Sequence, residues 1–227
     1  MLKPKVPVAK EGYPFIGGLA FTTLFFTLQG ISLPAWLFFI ATLFSLAFFR
    51  DPERFIPPAE NEVVSPADGR IIIAEPVTDD TFTQSRAYKI SIFMNVFNVH
   101  VNRAPLSGNV DQVIYRAGKF YAADSEKGGL QNEYCGVVMS HTSGYKIAFV
   151  QIAGLIARRI VCWLEPDDKI ERGHRFGLIR FGSRVDLYLP ENSDIRVQVG
   201  QKVRAGESIL AAMPQEKSGP SSSSAQS

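Results

Sequence analysis

Between Gly12 and Phe49 the chain carries no Lys, Arg, Asp or Glu, and nearly every residue is apolar. A charged side chain near the centre of a bilayer costs about 2.5–3.5 kcal/mol, so a charge-free apolar run of this length reads as membrane-embedded. The run is too long for one helix, since a single span takes roughly 20 residues. Gln29-Gly30 and then Pro34 interrupt it. This predicts two helices, about Pro14–Leu28 and about Leu33–Phe49, joined by a tight turn, with Pro34 in the first turn of the second. Both are short for a full span, so a hairpin that dips into the bilayer and one that barely crosses it both fit. Lys3, Lys5 and Lys10 precede the run, and Arg50 and Arg54 follow it. Positive charge at both ends puts both on the cytoplasmic side of a cell membrane. A cleaved signal peptide fits poorly, because the apolar region is too long and no small-residue cleavage site precedes Arg50. A buried helical hairpin of a soluble protein is the remaining reading.

The chain therefore divides into a short N-terminal segment (1–11), a helical hairpin (12–49), a soluble domain (50–213) and a tail (214–227). From Glu216 the tail is Ser-rich and lacks any apolar pattern, which predicts disorder. A net charge of +2 gives no field that suggests a nucleic-acid partner. Cys135 and Cys162 form no motif and read as reduced thiols, and His100, His141 and His174 are not at metal-ligand spacing, so no metal is expected.

From Glu62 onward, short Val- and Ile-rich segments alternate with Gly, Pro, Asp and Asn turns. Gly69–Ala74, Tyr88–Phe93, Gly108–Tyr115, Cys135–His141, Lys146–Ile152, Arg184–Leu189 and Ile195–Val199 are predicted strands. The class is mainly β, a sandwich or barrel. Ile152–Leu164 fits a helix or a strand-loop-strand equally well. The stretches Val64–Ile71 and Val197–Glu207 together resemble the barrel-sandwich hybrid of lipoyl- and biotinyl-type carriers. No lysine occupies a carrier hairpin tip, however, and Lys202 lies in the wrong turn.

Gly182-Ser183 is the only Gly-Ser pair in the chain and lies between strand-like runs. By itself such a pair reads as a bulge or tight bend. It is also suited to rearrangement: the Ser hydroxyl can attack the preceding carbonyl, which an unhindered glycine leaves accessible. The amide becomes an ester, β-elimination releases the upstream chain, and the dehydroalanine left behind hydrolyses to a pyruvoyl group. That group can form a Schiff base with a substrate amine and accept the electrons released as CO2 leaves.

Four motifs carry a resemblance that runs from Arg50-Asp51-Pro52 to about Met213. They are Ser65-Pro66-Ala67-Asp68-Gly69-Arg70; Phe97 through Pro105, with His100 and Arg103; Gln151-Ile152-Ala153-Gly154 with Ala157-Arg158-Arg159-Ile160; and Arg180 through Asp186. In this order, behind an apolar N-terminal segment, the sequence resembles the phosphatidylserine decarboxylase family, and its shorter, archaeal-type branch in particular. The resemblance implies self-cleavage between 182 and 183, a heterodimer of the two resulting chains, a covalent pyruvoyl cofactor from Ser183, and phosphatidylserine in the membrane as substrate. Higher assembly is left open. Longer members carry Leu-Gly-Ser-Thr or Gly-Gly-Ser-Thr at the cleavage site, where this chain has Phe181-Gly182-Ser183-Arg184. They also carry a second histidine three residues after the first, where this chain has Arg103.

The resemblance implies catalytic roles for Ser183, His100 and Asp68. Asp68, otherwise an Asp-Gly turn residue, becomes the base or orienting carboxylate for self-cleavage. His100, otherwise a half-buried strand histidine, becomes the proton donor after decarboxylation and a possible helper of Ser183 in maturation. Arg103, Arg158 and Arg159 are the candidates for the lipid phosphate. The rival reading is a non-catalytic, membrane-tethered lipoyl-like carrier or binding module; a third is the same chemistry on an ether-linked serine lipid.

Overall fold

A computed structural model of the chain describes residues 7–118, 121, 129, 131–154, 159–180 and 182–214. A single 3₁₀ turn, Lys10–Gly12, leads into α1 (Tyr13–Leu28) and α2 (Ser32–Phe48). Both helices fall within about a residue of the limits predicted from sequence. Pro14 sits in the first turn of α1, and Gly30, at φ +72°, makes the turn that a side chain would strain. The helices have 16 and 17 residues, and no helix of the described residues is long and apolar enough to cross a membrane. At 1.5 Å per residue each is roughly 25 Å long, against a hydrocarbon core of about 30 Å. Full spanning, one of the two expectations, is therefore not what these lengths give.

The rest of the described chain is β1 (Glu62–Val64), β2 (Gly69–Asp79), β3 (Ser85–Met94), β4 (Val101–Arg103), β5 (Gly108–Arg116), β6 (Tyr134–Ser140), β7 (Lys146–Ala153), β8 (Ile160–Cys162), β9 (Lys169–Ile170), β10 (Arg175–Ile179), β11 (Ser183–Pro190), β12 (Asp194–Ile195), β13 (Lys202–Val203) and β14 (Ile209–Ala212). An eight-stranded antiparallel sheet runs β13-β2-β3-β11-β7-β6-β5-β9, accompanied by the small sheets β1-β14-β12 and β4-β10-β8. The ambiguous stretch after Ile152 ends β7 and contains β8, with no helix among its described residues; 155–158 lie outside them. Of Ile195–Val199 only Ile195 is in a strand, because the chain turns away toward Gly200 at φ +93°.

Alternation along the strands sorts side chains to two faces. Val185, Leu187 and Leu189 of β11 enter the main core with Ile90 and Ile92 of β3, Phe149 of β7 and Phe176 of β10. Tyr188 faces the other way, into a second cluster with Phe82, Tyr134 and Val150. Arg184 and Asp186 share that face as a buried ion pair, joined by Lys89 Nζ at 3.0 Å from Asp186. The two stretches compared with carrier domains lie side by side: Lys202 pairs with Arg70 and Val203 with Gly69, while the Ala205 amide donates to Asp68 Oδ1 at 2.8 Å.

The hairpin is rooted at one end of this domain. Ala9 packs with Val99, Val101 and Leu178, the Ala9 amide donates to the Phe49 carbonyl at 2.8 Å, and Phe15 stacks on Phe49 with ring centroids 5.6 Å apart. Beyond the root the helices present Phe21, Leu28, Leu33 and Trp36 outward, with no polar stripe.

Candidate active site

Ser183 is the first residue of β11, a strand in the interior of the large sheet, where it pairs with Met94 of β3 and Ala153 of β7. Its alternation with Val185 and Leu187 turns the side chain into the main core, where it is fully buried. The hydroxyl lies 3.5 Å from the thioether sulfur of Met94. A thioether is a weak acceptor, so a buried hydroxyl is left poorly engaged. Gly182 precedes it at φ +64°, with none of the described residues within 4 Å of where a Cβ would stand. The backbone in front of the serine thus sits in the left-handed region, with open space beside it.

His100 immediately precedes β4 and is 2% exposed. Its Nδ1 lies 3.0 Å from the carbonyl oxygen of Asn98. A carbonyl only accepts, so Nδ1 carries the proton and Nε2 presents a lone pair. Nε2 is buried and has no hydrogen-bond partner among the described residues. Phe48, from the last turn of α2, covers the imidazole with ring centroids 4.1 Å apart. Burial is the main force on this group; it outweighs the Asn98 hydrogen bond and, with the charge of Arg50, lowers the imidazole pKa to about 4. At neutral pH His100 is an uncharged base. The ordinary histidine value on which its role as proton donor was expected is not the value this environment gives.

Met94 joins Ser183 to Asn102. Its sulfur lies 3.7 Å from Nδ2 of Asn102, two residues after His100, as well as 3.5 Å from Ser183 Oγ. Asn102 Oδ1 accepts from Gln151 Nε2 at 2.9 Å, and Gln151 Oε1 is buried without a partner. Asn102, Gln151 and Ser183 are all fully buried. Both amides lie in motifs seen in the sequence, but nothing there assigns them to the neighbourhood of Ser183.

Asp68 stands just before β2, two strands from β11 in the sheet order. Its carboxylate accepts two hydrogen bonds from Arg54 Nη2, at 3.0 and 2.9 Å, as well as the Ala205 amide. Arg54 also pairs with Glu207 at 3.1 Å. These partners are neither His100 nor Ser183. Arg103 is also committed: its guanidinium donates to the carbonyls of Gly173 and Pro52, each at 2.9 Å, and to Asp51 at 3.4 Å. Arg159 is exposed, and Arg158 lies outside the described residues. Arg184, at the position where longer members carry threonine, donates to both oxygens of Asp186 and to Ser91.

The arrangement defines a buried, poorly engaged serine hydroxyl behind a left-handed glycine, joined through Met94 to the strand that follows a buried, neutral imidazole. A model of the family described as phosphatidylserine decarboxylase matches residues 41–211. The chain is 60% identical over 210 residues to a phosphatidylserine decarboxylase proenzyme of Desulfotalea psychrophila, covering 92% of this chain and 98% of that one. It is 49% identical over 224 residues to a proenzyme of the same name from Citrifermentans bemidjiense, covering 94% and 100%. A third, from Ralstonia pickettii, is 48% identical over 208 residues, covering 92% and 96%. The chain belongs to the phosphatidylserine decarboxylase family.

Proposed function

We propose that this chain is a proenzyme that cuts itself between Gly182 and Ser183 and then decarboxylates phosphatidylserine to phosphatidylethanolamine. The observation that carries the reading is the left-handed Gly182 directly before a buried Ser183 whose hydroxyl, among the described residues, meets a thioether. Ser183 Oγ adds to the Gly182 carbonyl carbon, the amide nitrogen leaves with a proton, and an ester links the two residues. Loss of the Ser183 α-proton then expels the Gly182 carboxylate. The dehydroalanine that remains takes up water and releases ammonia. Neutral His100, with its lone pair on Nε2, is suited to accept the serine proton. Asp68 holds Arg54 and the Ala205 loop at the mouth of β2, and its part in maturation is to fix that end of the sheet.

The pyruvoyl group so formed at 183 supplies an electron sink that condenses with the substrate amine and takes up the electron pair left by departing CO2. Ser183, Asn102 and Gln151 are shut from solvent, so the protein would exclude bulk water from the reacting centre until a proton is delivered. His100 delivers it after first accepting one, because its resting form at neutral pH is the base.

The hairpin is the membrane anchor, with the catalytic domain on the cytoplasmic face. Lys10 and Arg50 flank it on one side. Thr22, Thr23, Thr27 and Thr42 each donate to the carbonyl four residues earlier, so none of these four hydroxyls needs water. Its length favours a hairpin that enters the bilayer without crossing it, and its root carries Phe48 onto His100, so the lipid-facing element and the chemistry share one end of the domain. Intact-mass measurement tests the whole reading. Purified enzyme should give Met1–Gly182 and a pyruvoyl-headed chain from 183 to Ser227, and Ser183→Ala a single chain without activity. Active material that is one uncut chain overturns it.

A further inference from the structure

Arg103 is taken by protein acceptors, so a guanidinium for the substrate phosphate has to come from elsewhere. Arg180 lies three residues before Ser183, on the link between β10 and β11. Its Nε is buried without a hydrogen-bond partner among the described residues, and its guanidinium carbon stands 5.2 Å from the centroid of the Phe15 ring, at the root of α1. Its backbone amide donates to the Arg159 carbonyl at 3.3 Å, which holds the two arginines together. Burial first, and then the charge of Arg159, make Arg180 easier to deprotonate. Among the described residues neither makes a salt bridge. Glu11 is within electrostatic reach of Arg180, but its Oε1 accepts from Trp163 Nε1 at 3.2 Å. Glu133, beyond Arg159, is engaged by the Tyr115 hydroxyl. Two unpaired guanidiniums and a buried orphan donor leave a place for an anion.

We infer that Arg180 and Arg159 form the subsite for the phosphodiester of the serine phospholipid, with Phe15 as its apolar floor; this rests on the decarboxylase reading above. The substrate offers two anions, a carboxylate and a phosphodiester. A guanidinium on the carboxylate stabilises the group that must leave as neutral CO2, and so works against the reaction. A guanidinium on the phosphodiester holds a charge that stays constant throughout. The reach fits: four bonds, roughly 5 Å, separate the serine nitrogen from phosphorus, and three residues of backbone span at most about 10 Å. Phe15 lies at the hairpin root, where an aromatic ring beside arginine suits the headgroup level.

The test uses the mature enzyme and its Arg180→Gln and Arg159→Gln variants, with cleavage verified by intact mass. Equilibrium binding of glycerophosphoethanolamine and of ethanolamine is followed by NMR, alongside KM for phosphatidylserine in mixed micelles. Loss of a charged hydrogen bond should weaken glycerophosphoethanolamine and raise KM by about tenfold or more, while ethanolamine binding stays the same. Unchanged glycerophosphoethanolamine binding in Arg180→Gln overturns the inference and leaves Arg180 to the new Gly182 carboxylate. An equal loss for both ligands overturns it too. If Arg180→Gln fails to cleave, Arg159→Gln, whose side chain is exposed, decides by the same criteria. Wild-type enzyme inert on phosphatidylserine refutes the decarboxylase reading, whereas an active wild type with indifferent variants refutes only the subsite.

Discussion

The ring of Phe48, in the final turn of α2, lies 4.1 Å from the imidazole of His100 and is inclined to it by 30°. One residue belongs to the apolar hairpin and the other to the polar interior of the β domain. The contact strips water from His100 while the Asn98 carbonyl fixes which nitrogen carries the proton.

Phe48→Ala should therefore let water reach the imidazole and raise its pKa from about 4 toward 6.5, while Phe48→Leu, which keeps the cover, should move it less. NMR titration of the His100 ring in the Ser183→Ala background reads this directly. An unmoved titration shows that the cover lies elsewhere.

Stability should fall on acidification. The folded pKa of His100 is depressed below its unfolded value of 6.5, so the unfolded chain binds more protons between about 6.5 and 4. The stability is fully present above 6.5 and is lost as pH falls through that window, by roughly 3 kcal/mol. Urea unfolding of Ser183→Ala at pH 7 and pH 4, with and without His100→Gln, isolates this term. Equal pH dependence in the two proteins would exclude it.

At Gly182 only the backbone angle limits substitution, since there is room for a side chain. A left-handed conformation costs an ordinary residue about 1–2 kcal/mol, least for asparagine and most for a β-branched residue. Cleavage rates on gels should rank glycine first, then asparagine, alanine and valine. Alanine matching glycine would mean that the φ of +64° is unimportant to maturation.

Asp186→Ala should cost about 3–5 kcal/mol in denaturant unfolding, because it leaves Arg184 buried and uncompensated. Replacing Arg184 with threonine should cost less, since Asp186 keeps Lys89.

Arg103→Lys should lower Tm while leaving KM for phosphatidylserine unchanged. A single ammonium cannot reproduce the fork that reaches Gly173, Pro52 and Asp51. A raised KM with unaltered Tm would return this residue to the list of phosphate ligands.

Much of the architecture was legible because it depends on local pattern. Absent charge marked both helices, and short Val- and Ile-rich runs between turn residues marked β2, β3, β5, β6, β7 and β11. The strands that escaped, such as β4, β8 and β10, have three to five residues, too few for a period to emerge. In the site, Gly182, Ser183 and His100 stood in motifs, but their surroundings did not. Met94 reaches Ser183 across 89 residues of chain through strand register alone. The acceptors that occupy Arg103 are mostly backbone carbonyls, which every residue carries and no composition reveals. Arg180 was visible in a motif, and only its proximity to the cleavage bond hinted at use; its orphan Nε is a property of packing.

The place of β11 between β3 and β7 has a consequence for the molecule's history. With the proposed cut before Ser183, the shorter chain begins with a strand laddered on both sides, from Ser183 to Pro190 against β3 and from Ser183 to Tyr188 against β7. The severed ends have no need to part. Once separated by denaturant, however, the two pieces can reunite only by a bimolecular encounter, so recovery depends on concentration for the mature enzyme and not for its uncut precursor. Assembly is thus a single-chain event that processing makes irreversible in practice, and dilution after unfolding should strand the mature form while the precursor returns.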